Sequence, residues 1–259
     1  MNAEVGARPA GLREPLVTYA VVTALASGLF AAGGSVPWIA ENLHGAIAFL
    51  FLTAPAAAAF FSRRPFDYGD AGLRLDPIGP GLRVLGGAIA IAWPLFFVGF
   101  LLYYGTVCGA AGSSLFGGFV DWLTPQCPRY LGWAGAHFRW GDPGDGLGTF
   151  LLTVATQLLV VAVPEELFFR GYLQRRFDER WPPRRQLWGA ALGRGWWLSA
   201  ALFALGHVLV DFNPERFAVF VPGLVFGWMR ARTGSLAAGA TFHALCNVYS
   251  DLLHRSFFR

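Results

Sequence analysis

Lysine is absent from this 259-residue chain, and all 20 basic side chains are arginine. Charge of either sign is scarce, with Asp, Glu, Lys and Arg making up 14% of the residues, roughly half the share of an ordinary soluble domain. So few charges cannot cover a water-facing surface. With 55% hydrophobic residues, lipid is the solvent that fits. The formal net charge of +4 does not imply nucleic acid, because no basic face with interleaved aromatics is present. The missing lysine reflects coding-base composition rather than function. Cysteine is also sparse. Cys108, Cys127 and Cys246 are too few for a disulfide scaffold and lack metal-ligand spacing.

What is present is a series of long apolar runs. The first begins near Leu16 and continues for about 25 residues, too long for a signal-peptide core, and reads as a retained span. A helix needs about 20 apolar residues to cross the hydrocarbon core. Seven runs are candidates, at roughly 16–40, 43–62, 82–104, 147–176, 196–211, 216–230 and 235–253. The fold expected is all-α, a polytopic transmembrane helix bundle of about seven spans (six to eight), forming one integral membrane domain over 1–259. No internal repeat or low-complexity tail interrupts it. In the sixth run Gly223 and Gly227 stand in a GxxxG spacing that suits close helix packing.

Arginine placement gives an orientation. With the N-terminus cytoplasmic, the inner segments hold Arg8, Arg13, Arg63, Arg64, Arg74, Arg83, Arg175, Arg176, Arg180, Arg184, Arg185, Arg194, Arg230 and Arg232. The outer segments hold Arg129, Arg139, Arg216, Arg255 and Arg259. That is fourteen against five, with Arg170 set aside as intramembrane. Trp181, Trp188, Trp196 and Trp197 fall among the inner arginines, as in an interfacial belt. The loop at 105–146 then faces outward, where Cys108 and Cys127 either pair in an oxidising compartment or remain free thiols.

An ionisable group inside an apolar helix is costly, so each one is a functional candidate. The fourth run carries Pro164-Glu165-Glu166, with Arg170 four residues beyond Glu166, an ion-pair spacing. Adjacent carboxylates point about 100° apart on a helix, so the two are not expected to share a partner, and Glu165 is left without a local counter-charge. Pro164 removes a backbone donor and should bend or restart the helix just before the pair. The fifth run carries Phe203 and His207. The seventh carries His243 and Asn247, whose i,i+4 spacing places both on one helical face.

Helix rise fixes the depths. Glu165 lies eleven positions from Arg176, His207 thirteen from Arg194 and His243 eleven from Arg232. At 1.5 Å per residue these are about 16, 20 and 16 Å, so three helices bring polar groups to one level. Taken singly, Glu166–Arg170 reads as a structural ion pair, His207 as an interhelical hydrogen-bonding residue, and His243 with Asn247 as a bridge. Together they read as one site. A carboxylate beside an imidazole can take a proton from water. A His–Asn pair can donate to the oxyanion of a tetrahedral intermediate. No serine nucleophile motif accompanies them. Cys246, beside His243 and Asn247, is a minor candidate.

The ordered motifs EExxxR (Glu165, Glu166, Arg170), FxxxH (Phe203, His207) and HxxxN (His243, Asn247) resemble those of the CAAX-protease and bacteriocin-processing group of intramembrane glutamic endopeptidases. The resemblance covers roughly residues 147–253, a catalytic helix core. It implies a hydrolase in which Glu165 activates water with help from His207, His243 and Asn247 form the oxyanion hole, and Glu166 and Arg170 brace the site. It implies no cofactor and no metal, although Glu165, His207 and His243 could also ligate zinc. It implies a membrane-bound peptide or protein substrate within the lipid bilayer and no nucleic acid. The compact chain reads as bacterial, in the inner (cytoplasmic) membrane, where some relatives resemble myxosortase-like sorting proteases. The competing readings are a non-catalytic bacteriocin-immunity or scaffold protein, a zinc-dependent peptidase using the same residues, and, more weakly, a proton-coupled transporter. The last expects matched broken helices in both halves, whereas the polar residues here fall in the last four runs.

Overall fold

The computed structural model describes residues 11–110, 117–138 and 146–259. Arg8 and Arg139, counted in the orientation above, and parts of the 105–146 loop lie outside them. The described chain is an all-α bundle of eight helices: α1 (Arg13–Gly33), α2 (Pro37–Ser62), α3 (Ile78–Ala110), the short α4 (Gly117–Leu123), α5 (Leu147–Arg180), α6 (Arg194–Asp211), α7 (Phe220–Thr233) and α8 (Ala237–Phe257). One hairpin, β1 (Arg185–Leu187) with β2 (Ala190–Leu192), is the only sheet among the described residues.

Helices α1, α2, α3 and α5 are each long and apolar enough to cross a membrane. The other three long helices occupy the last expected runs but fall short of that combination, α7 having only 14 residues. They carry the small and polar side chains, buried against one another, and α8 buries Ala238, Gly239, Ala240, His243 and Ala244. Small residues let transmembrane helices approach closely.

Two expected boundaries shift for local reasons. The run at 16–40 is two helices, because Ser35 and Val36 both donate backbone N–H groups to Ala32 O and Pro37 opens α2. Proline is well placed there, its missing donor being one that a helix start leaves unpaired anyway. The run at 216–230 begins instead with a 3-10 turn, Pro214–Val219, where the Asn213 side chain accepts the Glu215 N–H, and α7 starts at Phe220. Of the four tryptophans near the arginines, Trp188 and Trp197 are exposed, while Trp196 donates Nε1–H to Leu224 O at 2.7 Å and so joins α6 to α7.

The helices alternate in direction, and the two ends of the bundle differ. At one end Glu14 faces Arg176 at 3.3 Å and Arg64 at 3.4 Å, and Arg230 Nε donates to Ala71 O at 3.1 Å. At the other, Cys108 and Cys127 form a disulfide. There the segment after it is tied to the end of α8, with Leu131 N donating to Phe257 O and Tyr130 bridging Phe258. The core between them is aromatic. Phe168, Phe169, Tyr172, Phe203, Phe226 and Phe242 are all buried around α5.

Candidate active site

Helix α5 turns π-helical twice. It is π-helical over Gln157–Ala162, α-helical over Val163–Glu166 and π-helical again over Leu167–Gln174. Pro164 has no N–H to give the preceding turn, and the return to α-winding at Val163 absorbs that loss without ending the helix. Each π segment widens the turn, and such insertions are frequent at functional sites. The acid pair therefore sits on one α-turn between two wide ones.

The wide turn after the pair is held from two sides. Ser199 on α6 donates to Phe169 O at 2.7 Å, and the Arg170 guanidinium crosses to α7. Arg170 is buried. It donates Nη1–H to Glu166 Oε1 at 2.9 Å and Nη2–H to Gly223 O at 2.9 Å, and lies 4.3 Å from the Phe203 ring centroid. Gly223 and Gly227 are the contact the GxxxG spacing implied. A Cβ on Gly223 would lie 3.1 Å from Arg170 Nη2, and one on Gly227 2.7 Å from Gln174 Oε1. Without side chains at these positions, α7 can present its carbonyls to α5.

Glu166 Oε1 also accepts from His243 Nδ1, at 3.0 Å, so His243 Nδ1 carries a proton. The other nitrogen of that ring, Nε2, stands 3.8 Å from Glu165 Oε2. The expectation that the adjacent carboxylates do not share a partner is therefore corrected. One imidazole reaches both, because its two nitrogens point in different directions and span the angle between the side chains. His243 is buried and stacked on Phe226, with ring centroids 4.6 Å apart and planes at 14°.

His207 completes the group from α6. Its Nε2 lies 4.0 Å from the same Glu165 oxygen. Its Nδ1 is 2.9 Å from Phe203 O, which can only accept, so Nδ1 carries the proton and a neutral ring offers its Nε2 lone pair toward Glu165. Glu165 Oε2 is a buried oxygen without a hydrogen-bond partner among the described residues. The distances of 3.8 and 4.0 Å are too long for direct hydrogen bonds. Three helices thus bring Glu165, His207 and His243 to one point, at the common depth the sequence implied. Phe203 lies beside both rings, with centroids 4.5 Å from His207 and 5.8 Å from His243.

Asn247 lies one turn beyond His243 and donates Nδ2–H to Gln157 Oε1 at 2.9 Å. Gln157 opens the first π segment and was missed in the sequence, although a lone amide in an apolar run is the same kind of signal as a lone histidine. Phe226 and the Gly223 carbonyl were missed too. A phenylalanine in a hydrophobic helix and a backbone oxygen give no compositional signal. Cys246 packs against the aromatic core. Among the described residues, no group of three or more His, Cys, Asp and Glu side chains is arranged to hold a metal ion.

The comparisons with known proteins bear on this same stretch. Residues 147–249, which hold every residue of the group, match the family model described as Type II CAAX prenyl endopeptidase Rce1-like. No curated protein and no solved structure matches the chain.

Proposed function

From a chain whose residues 147–249 belong to the Rce1-like CAAX endopeptidase family, and which is thus an integral membrane protease, we infer a glutamate-dependent mechanism. Glu165 is the general base, His207 its partner, and the substrate is a membrane-bound peptide or protein tail. The observation that carries this reading is the buried Glu165 Oε2, without a hydrogen-bond partner among the described residues, facing two imidazole Nε2 atoms at 3.8 and 4.0 Å. A water oxygen set between them comes within hydrogen-bond reach of all three.

In this mechanism Glu165 takes a proton as the water oxygen attacks the scissile carbonyl, and the tetrahedral intermediate forms. His207, anchored through Nδ1 to Phe203 O, keeps its Nε2 lone pair directed at the water. His243 is fixed by Glu166, and with both ring protons in place it donates from Nε2 to the oxyanion while its positive charge faces Glu166. One Asn247 N–H is used on Gln157, and the second is the further oxyanion donor. The proton on Glu165 then passes to the leaving amine as the C–N bond breaks. Glu166 and Arg170 hold the rings in place and touch no reacting atom.

The whole chain, 1–259, serves as one membrane domain, with its N-terminus in the cytoplasm of a bacterial inner membrane. The Cys108–Cys127 disulfide supports that orientation, since it lies at the arginine-poor end and disulfides persist in oxidising compartments. The test is cleavage of a co-expressed, C-terminally membrane-anchored reporter tail. Wild type releases the reporter and Glu165→Gln does not. Equal release by the two defeats the assignment.

A further inference from the structure

The hairpin β1–β2 follows closely on α5, which is long and apolar enough to cross a membrane and ends at Arg180, so its place is at the membrane surface. It joins α5 to α6, the helices that carry Glu165 and His207. Strand β2 buries Ala190 and Leu192 while β1 is exposed throughout, so β1 is the outer edge. The turn between them, Trp188-Gly189, has φ of 46° and 76°, a turn in which Asn, Asp or Gly usually stands first. Tryptophan holds that place at a conformational cost, and it is 80% exposed. The hairpin rests on one face of α7. Trp228 donates Nε1–H to Leu187 O at 3.1 Å, and its ring meets that of Trp188 edge-on. One turn later Arg232 lays its guanidinium over Gly189, with Nε 2.7 Å from where a Cβ would stand.

From Arg180 to Arg194 the chain holds four arginines and no carboxylate. Arg180 and Arg194 each stand 6.0 Å from the Trp181 ring centroid. Arg184, Arg185 and Arg232 are exposed, and their guanidiniums have no ion-pair or hydrogen-bond partner among the described residues. Of the acids just before this stretch, Glu179 pairs with Arg175 and Arg176, and Asp178 is turned against Gly195 of α6.

We propose that this hairpin is a binding site for anionic phospholipid, with Arg184, Arg185 and Arg232 taking headgroup phosphates and Trp188 lying at the level of the glycerol backbone. Charge complementarity selects that occupant. A guanidinium binds a phosphate through two parallel N–H groups, and three of them here have no carboxylate of the chain to compete. Near an anionic surface each arginine adds about fivefold to binding. A phosphatidylcholine headgroup brings its own cation and gains little from them. The exposed Trp188 ring fits the membrane interface, where tryptophan is enriched, and a soluble phosphate would give it nothing to cover. The bound lipid steadies the link between the helices that carry Glu165 and His207. Binding is independent of whether those residues are catalytic.

The experiment uses the full chain in phosphatidylcholine nanodiscs doped with one of two photoreactive lipids. One is a phosphatidylglycerol with a diazirine next to the glycerol, and the other is the matching phosphatidylcholine. Crosslinks from the anionic probe are expected within 184–188 or 228–232, with yield at least about tenfold above the zwitterionic probe. Changing Arg184, Arg185 and Arg232 together to Gln should abolish that advantage, and changing all three to Lys should keep most of it. Trp188→Ser should lower labelling by both probes. In undoped discs the triple Gln variant should melt like wild type, since these guanidiniums hold no partner in the chain. Equal yields from the two probes, or anionic crosslinks confined to other segments, overturn the proposal. A lower midpoint for the triple Gln variant also counts against it, by making the arginines props of the hairpin. Loss of the anionic advantage on adding inorganic phosphate, at matched ionic strength, would replace the lipid with a soluble phosphate ligand. Labelling is read without turnover, so its failure leaves the role of Glu165 standing.

Discussion

His243 Nδ1 stands 3.0 Å from Glu166 Oε1, and that contact decides which side of the ring is left for chemistry. With Nδ1–H committed to a buried carboxylate, Nε2 is turned toward Glu165. Glu166 is itself held by Arg170 at 2.9 Å. The two adjacent glutamates thus differ in circumstance. Glu166 Oε1 accepts from both Arg170 and His243, whereas Glu165 Oε2 has no hydrogen-bond partner among the described residues.

Arg170→Leu leaves the Glu166 charge buried without its cation. Removing one member of such a pair costs about 3–5 kcal/mol, which should appear as a clear drop in the thermal midpoint of detergent-solubilised protein. Glu166→Leu combined with Arg170→Leu removes both charges and should melt above the single variant. A single variant that melts like wild type contradicts the arrangement.

The two glycines of α7 should differ in their tolerance of a methyl group. In Gly227→Ala the new Cβ meets Gln174 Oε1 at 2.7 Å and Trp196 Cδ1 at 2.8 Å, against 3.1 and 3.2 Å for the nearest atoms in Gly223→Ala. Overpacking of this kind costs about 1–3 kcal/mol, so both variants melt lower and Gly227→Ala melts lowest. The opposite order, or no change, argues against the close approach of α7 to α5.

Asn247→Ala should lower turnover of the reporter tail by about 10²–10³, the usual effect of losing one oxyanion donor. Gln157→Leu acts by releasing Asn247, so it should cost less alone and nothing further in the Asn247→Ala background. Losses that multiply would give Gln157 a separate role.

Prolonged treatment with a strong chelator should leave reporter cleavage within about twofold of the untreated rate, since the proposed water is activated by Glu165 and imidazole. Activity that vanishes and returns with zinc would replace the glutamate mechanism with a zinc-dependent one.

Much of the site was legible from the chain because polar residues in apolar helices are few, and counting helix rise from flanking arginines sets their depth. Glu165, His207 and His243 emerged that way, as did the Glu166–Arg170 pair from its spacing. The shared use of His243 did not. It depends on the approach angle of α8, which no i,i+4 rule contains. The π-winding around Pro164 has no compositional mark either, since Gln157–Ala162 and Leu167–Gln174 read as ordinary helix. The break at Gly34–Val36 was signalled by Gly and Pro but lay inside a continuous apolar run, where length outweighed punctuation. Helices α6 to α8 fall short of full span character by length and composition: α7 has only 14 residues, and polar side chains such as His207, His243 and Asn247 dilute the apolar runs of α6 and α8.

The division of labour between the adjacent glutamates is tested most directly by measuring turnover and thermal midpoint together in Glu165→Gln and Glu166→Gln. Glu165→Gln should lose about 10²–10⁴ in reporter cleavage with an unchanged or higher midpoint, as expected for a general base with no structural bond to break. Glu166→Gln should melt lower, because Arg170 loses its counter-charge, and should keep a larger share of its activity. A Glu165→Gln protein that cleaves at the wild-type rate contradicts the account.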